Sequence, residues 1–65
     1  MTIKLYSRVK FIGPLKEYQD LCIGDIGYVI EMYEDGNCEV EFSNVDGSTR
    51  VQVVVPNIYL SLTEN

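Results

Sequence analysis

Residues 24–42 read GDIGYVIEMYEDGNCEVEF, and this stretch decides the fold. Residues 26–33 are apolar or aromatic at every position except Gly27 and Glu31, and residues 38–42 alternate apolar and acidic side chains. Residues 34–37 (EDGN) supply a turn, in which Gly36 suits a backbone with positive φ. An alternation of period two predicts a β-hairpin with one face buried and the other in water.

Gly27 is unusual inside a predicted strand, because glycine weakens a strand unless the backbone bends or another chain segment passes close to it. The strand that contains it also alternates less regularly than the return strand. We therefore predict a β-bulge or strong coiling near Gly27.

The remaining residues predict three more strands and a long connection. Pro56 ends one of these strands and favours a short turn of 3-10 helix directly after it. Five short antiparallel strands bury a common face only by wrapping around it. The predicted fold is all-β, one domain over residues 1–65: a small five-stranded SH3-like barrel with a long first loop and a 3-10 turn before the last strand. Beyond the hairpin, the predicted segments are a first strand at 5–12, the connection at 13–25, a turn at 44–48, a valine-rich strand at 49–55 and a last strand at 58–62.

Charge and length limit the partners of this chain. Five basic and ten acidic residues give a net charge of −5, and this disfavours a nucleic acid as the primary ligand, because phosphate binding relies on Lys and Arg. No apolar run approaches the roughly 20 residues of a membrane span, and residues 1–10 do not resemble a signal peptide. We expect a cytoplasmic protein that is a monomer or a weak homodimer, the latter through pairing of the valine-rich strand.

Cys22 and Cys38 are the only cysteines, and without a secretory signal we expect free thiols. Cys38 is predicted to be a small core residue, and Cys22 to fill space in the long connection. The chain has no histidine, so a Cys–His nucleophile and the usual zinc ligand sets are absent. We predict no catalytic residue, no metal, no cofactor and therefore no enzyme.

The hairpin and the turn that follows it resemble a known family. The pattern GDxG, a run that ends in tyrosine, xDGxxEVEF and a downstream DGxT spans residues 24–49, and the resemblance extends over nearly the whole chain. It resembles the small bacterial SH3-like proteins grouped as domain of unknown function 4926. The resemblance implies an SH3-like fold, a bacterial cytoplasmic setting and no assigned activity, with members that look like adaptor, immunity or antitoxin-type partner proteins. Residues 55–59 (VPNIY) lack the charged residue that the family commonly has there.

Six residues form the candidate protein-binding site. Glu31, Glu39 and Glu41 are predicted to point to solvent from neighbouring strands, with Arg50 across from one of them as an ion pair. This acidic stripe is either a solvated face that keeps the chain soluble or a recognition surface for a basic protein. The other three are tyrosines, the residue type that interfaces favour for rigid contact area. The six are Tyr18, Glu31, Tyr33, Glu39, Glu41 and Tyr59.

Tyr18 in the long connection and Tyr59 before the last strand have two interpretations. They either flank a ligand groove or cap the open ends of the barrel, with buried rings and exposed hydroxyls. Arg8, Lys10 and Lys16 likewise form either a small basic patch or ordinary solubilising charge.

These observations lead to three function hypotheses. The first is a non-enzymatic, acidic interaction module that binds another protein through its acidic face and tyrosine-bearing loops. The alternative is an RNA- or ribosome-associated module, since G-D-x-G-x-V loosely resembles the KOW modules of ribosomal proteins and transcription elongation factors. An acidic mimic of a nucleic acid is a third possibility, and it would need a wider stripe of carboxylates.

Overall fold

The computed structural model describes residues 2–14 and 18–63, and this part of the chain forms one antiparallel sheet in the order β4-β3-β2-β1-β5. The described residues contain five strands, one 3-10 turn and no α-helix. This confirms the predicted all-β fold of five antiparallel strands with a 3-10 turn before the last strand. The elements are β1 (Arg8–Phe11), β2 (Ile26–Met32), β3 (Asn37–Ser43), β4 (Thr49–Pro56), the 3-10 turn (Asn57–Tyr59) and β5 (Leu60–Leu62).

The return strand of the hairpin, β3, alternates as its sequence predicts. Cys38, Val40 and Phe42 are buried, and the residues between them are half-buried. A strand with this pattern holds the core on one side and water on the other. It is the central scaffold of the protein, because it pairs with β2 on one side and with β4 on the other.

The irregularity in β2 lies at Ile30, so the prediction of a bulge near Gly27 is wrong. Gly27 pairs in register with Phe42, whereas the register between β2 and β3 shifts between Val29 and Glu31. Gly27 is needed for a different reason: a Cβ there would lie 2.7 Å from Cγ1 of Val40 and 2.9 Å from Cδ1 of Phe42. The glycine permits close packing, and the extra residue resets the alternation further along the strand.

The first strand is shorter than predicted, because residues 4–7 form a turn. The Ser7 N–H donates to the Lys4 carbonyl at 3.0 Å, and the Lys4 N–H donates to Ser7 Oγ at 2.8 Å. Leu5 is consequently exposed and does not share the buried face of β1, which consists of Val9 and Phe11.

One hydrophobic core is shared by all five strands. Its members come from both ends of the sheet, Val55 from β4 and Leu60 from β5, so the sheet curls until its two outer strands pack on a common interior. Phe11 lies among aromatic neighbours, with its ring centroid 6.4 Å from that of Phe42 and 5.7 Å from that of Tyr18. The buried core residues are Val9, Phe11, Leu21, Val29, Cys38, Val40, Phe42, Val55 and Leu60.

The two cysteines are free and occupy different environments. Cys38 is in the core as predicted, and burial raises the pKa of its thiol. Cys22 is exposed, so the prediction that it fills space is wrong. Its backbone N–H donates a hydrogen bond to Oδ2 of Asp25 at 2.8 Å, and its side chain is exposed in this turn.

Within residues 2–14 and 18–63, no helix is long and apolar enough to cross a membrane. The predicted connection at residues 13–25 is described except for residues 15–17. It contains a turn in which the Leu21 N–H donates to the Tyr18 carbonyl at 3.1 Å.

Candidate protein-binding surface

Four of the six predicted site residues come together on the outer side of the β2–β3 hairpin. Glu31 lies directly opposite Glu39 in the strand register, and Tyr33 reaches the same carboxylate from the end of β2. Glu41 lies one step along β3, opposite Tyr28 of β2 and Gln52 of β4. We call Glu31, Tyr33, Glu39 and Glu41 the acidic face.

The Glu39 carboxylate is the most strongly engaged group of the acidic face. Its Oε1 accepts a hydrogen bond from the Tyr33 hydroxyl at 2.5 Å, and its Oε2 accepts one from Nε2 of Gln52. These bonds, that of Tyr33 first, lower the pKa of Glu39, because they stabilise its ionised form. The same bond raises the pKa of Tyr33, with desolvation and the nearby carboxylates adding to the effect.

The pKa shifts of this pair predict a specific pH dependence. Glu39 has a folded pKa below its ordinary value of 4.5, so its contribution to stability is present above that pH and is lost as the pH falls through the folded pKa. Tyr33 has a folded pKa above its ordinary value of 10.0, so its contribution is present below pH 10.0 and is lost as the pH rises through the folded pKa.

Replacement of Glu39 by glutamine is expected to return the pKa of Tyr33 towards its ordinary value, because a neutral amide replaces the charged carboxylate that accepts the Tyr33 hydroxyl bond. An NMR titration of the tyrosine ring signals measures this directly. The matched control is Glu41→Gln, which removes the same charge from the neighbouring position on β3 but no bond to Tyr33. If both variants shifted the Tyr33 titration equally, the hydrogen bond would not be its cause.

Arg50 does not pair with the acidic face, so the predicted cross-strand ion pair is wrong. Its guanidinium forms an ion pair with the Asp25 carboxylate and also donates to the Asp20 carbonyl. The cause is position: Arg50 lies at the start of β4, within reach of the connection that precedes β2. Among the described residues, no ion pair reaches a glutamate of the acidic face.

Charge is strongly segregated along the chain. Five of the ten acidic residues lie within residues 31–41, and no lysine or arginine occurs between Lys16 and Arg50. Arg8 borders the acidic face, since it lies opposite Tyr28 of β2. Its guanidinium donates to Thr63 Oγ1 at 3.4 Å. Lys10 is exposed on the same strand, and Lys16 lies outside the described residues. The hairpin surface is therefore locally more acidic than the net charge suggests.

Tyr18 and Tyr59 form a separate aromatic cluster with Phe11. The rings of Tyr18 and Tyr59 meet edge to face with centroids 6.2 Å apart, and both residues are half-buried against the core. This arrangement agrees with the capping interpretation. Tyr18 also borders a groove of about 310 Å³ beside β4, which we call the valine groove. Its lining residues are Tyr18, Gln19, Asp20, Leu21, Val51 and Val53.

The sequence prediction omitted several residues of this surface. Gln52 lies two residues after Arg50 on β4, so alternation predicts both side chains on the same, outward face. This spacing could have predicted that Gln52 lies beside Glu39 and Glu41. Tyr28 was missed because the bulge at Ile30 makes the strand pattern hard to follow. Tyr28 also borders a second cleft, of about 500 Å³, between the turns at residues 24–26 and 43–47.

Within residues 2–14 and 18–63, no group of three or more cysteine or carboxylate side chains is placed to hold a metal ion. No buried side-chain nitrogen or oxygen in this part of the chain lacks a hydrogen-bond partner.

Fold and surface together define a small, all-β, five-stranded protein with an acidic outer hairpin face. Residues 5–61 match the model of the family described as Domain of unknown function (DUF4926), and the chain belongs to this family. No curated protein and no solved structure matches the chain.

Proposed function

We propose that this protein is a non-enzymatic interaction module that binds a basic protein partner through its acidic face. The observation that carries the proposal is the direct cross-strand pairing of Glu31 with Glu39 on a hairpin surface where no ion pair among residues 2–14 and 18–63 reaches a glutamate.

Like charges directly opposite each other destabilise a sheet. Tyr33 and Gln52 satisfy the Glu39 carboxylate by hydrogen bonds but bring no positive charge to it. Arg50, the nearest arginine along the chain, is engaged by Asp25. A lysine or arginine from a partner would therefore relieve the repulsion between Glu31 and Glu39 that the free protein retains.

Two tyrosine rings add contact area to the charged surface. Tyr28 is 42% exposed and Tyr33 is 43% exposed, and both lie beside the glutamates. Tyrosine provides large, rigid contact area at low entropic cost, and an exposed ring also attracts Lys or Arg to its face. A cationic partner thus meets both charge and aromatic surface.

A reducing compartment suits the two free thiols, one of which is exposed. We therefore propose that the module acts in the bacterial cytoplasm, as an adaptor, accessory or immunity-type factor.

The test is titration with a lysine-rich synthetic peptide, followed by NMR at low salt. Replacement of both Glu31 and Glu41 by glutamine is expected to weaken binding about three- to tenfold, because exposed charges each contribute modestly and are screened by salt. Neither side chain makes a hydrogen bond in the described residues, so the fold should persist. The control is Asp46→Asn, which removes one acidic charge from the turn at residues 44–48, away from the acidic face and the valine groove, and whose amide oxygen can still accept the bonds that Ser48 donates; it is expected to change affinity less than twofold.

An RNA column separates this proposal from its alternative. The acidic protein is expected to flow through, whereas an RNA-binding module would be retained and would elute with salt. Retention on RNA, or a double variant that binds the peptide as well as the unmodified protein does, would contradict the proposed function.

A further inference from the structure

The outer edge of β4 carries backbone groups without a strand partner. β4 is the last strand in the sheet order, and within the described part of the chain it pairs only with β3. Beyond it lies the valine groove, which is open beside Val51 and Val53. The hydrogen-bond pattern identifies which groups are unpaired.

In an antiparallel pair, hydrogen-bonded and non-hydrogen-bonded residue pairs alternate. The Asn57 N–H donates to the Gly36 carbonyl at 3.0 Å, in register with the pairing of Cys38 with Val55 and of Val40 with Val53. Val53 and Val55 therefore direct their backbone groups towards β3. Gln52 and Val54 occupy the alternate, non-hydrogen-bonded positions, so their N–H and C=O groups point away from β3.

A second bond supports this assignment from the other side of β3. The Tyr33 N–H donates to the Asn37 carbonyl at 2.9 Å, so Asn37 and Glu39 direct their backbone groups towards β2. By alternation, Cys38 and Val40 face β4. We call the outward N–H and C=O groups of Gln52 and Val54 the β4 edge; no backbone hydrogen bond of the described residues engages them outside the β3–β4 pairing.

The two sides of the β4 edge differ in chemistry. On the outer side, Val54 lies opposite Glu39 and Gln52 opposite Glu41, so a strand placed there would border the acidic face. On the inner side, Val51 and Val53 are half-buried beside Tyr18 and Leu21 in the valine groove. An added strand would thus meet carboxylates on one side and apolar side chains on the other.

We propose that the β4 edge binds an extended segment of the basic partner as a sixth strand, in which apolar and basic residues alternate. Side chains of a strand alternate between its two sides, so the apolar residues enter the valine groove and the basic residues reach Glu39 and Glu41. Pro56 has no N–H, so the new ladder ends there. This inference rests on the proposed function and specifies the form of the partner.

Charge decides between a partner segment and a second copy of the chain. A second β4 would bring another net charge of −5 and a second set of Glu39 and Glu41 to the same side of the joined sheet. A basic segment instead neutralises these carboxylates. The occupant is therefore a basic strand from another protein.

Replacement of Val54 by proline tests the edge directly, because it removes one outward N–H and leaves the bonds to β3 in place. Proline is tolerated on an edge strand whose N–H faces outward. The probe is a synthetic peptide of alternating Val and Lys, and the readout is NMR titration with hydrogen exchange. We expect at least tenfold weaker binding for Val54→Pro, less than a twofold change for Val54→Thr, and slowed exchange of the Gln52 and Val54 amides when the unmodified protein binds.

A second peptide with the same residues in a Val block and a Lys block separates the two proposals. If both peptides bind equally and Val54→Pro has no effect, the strand-addition proposal fails and the acidic-face proposal stands. If neither peptide binds, both fail. If the two amides become protected as the protein is concentrated without peptide, the occupant is a second copy and the inference is overturned. Should Val54→Pro not fold, N-methylation of Val54 in a synthetic chain removes the same N–H and must give the same loss.

Discussion

Replacement of Gly27 by alanine is expected to remove most of the stability of this fold. The added Cβ would lie 2.7 Å from Cγ1 of Val40, 2.8 Å from the carbonyl oxygen of Glu41 and 2.9 Å from Cδ1 of Phe42. Two of these atoms belong to fully buried side chains, and the third belongs to the backbone of β3, so none can move without disturbing the central strand.

The expected loss is about 2–3 kcal/mol, which is the usual result of forcing extra volume into a packed core. A core of this size supplies roughly 3–5 kcal/mol, so the variant should be partly unfolded at room temperature. Urea unfolding monitored by circular dichroism measures the change. Ser43→Ala, which introduces alanine at the end of the same sheet without a clash, is the control and should shift the midpoint little. Equal midpoints for Gly27→Ala and the unmodified chain would show that the close approach is absent.

Phe11→Ala is expected to have the largest effect of any single replacement considered. The side chain is fully buried, and its ring contacts those of Tyr18 and Phe42 edge to face. Loss of a buried phenylalanine costs about 3–5 kcal/mol, since both apolar burial and packing are lost. That loss equals the whole stability expected of the domain, and the variant should be largely unfolded.

The same unfolding experiment distinguishes core from surface. Ile58→Ala also removes a large apolar side chain, but Ile58 is 75% exposed in the 3-10 turn, and the free energy of unfolding should change by less than about 0.5 kcal/mol. A folded Phe11→Ala variant with a native-like midpoint would contradict the placement of Phe11 at the centre of the core. A further sign of a correct placement would be altered NMR signals of Tyr18 in any partly folded Phe11 variant.

The predictions for binding and for stability concern opposite sides of β3. Val40 and Phe42 face the core, and replacements there act through packing. Glu39 and Glu41 face outward, and replacements there should act on partner binding. One seven-residue strand therefore carries both the stability of the fold and the proposed recognition surface. This separation makes it possible to change binding without unfolding the protein.

Much of the hairpin was predictable from residues 24–42. Alternation of apolar and acidic residues in β3 determined its buried face, and the glycine-containing turns determined where strands end. The acidic face was predictable for the same reason, because Glu39 and Glu41 alternate with the buried residues of β3 and so lie on its outer side. Pro56 placed the break before the 3-10 turn. These features are local, because each depends on residues that are close together in the sequence.

Non-local features were decided only by the tertiary structure. The sequence did not place the bulge at Ile30, because a bulge depends on how two strands match and not on one strand alone. It did not reveal that Arg50 pairs with Asp25, since the two residues meet only when β4 and the connection before β2 fold together. The position of β4 at the edge of the sheet, with Gln52 and Val54 directed outward, likewise follows from strand order. Alternation along the chain determined the buried face of β3, and the register between distant strands determined which charges meet and which backbone groups are left to bind.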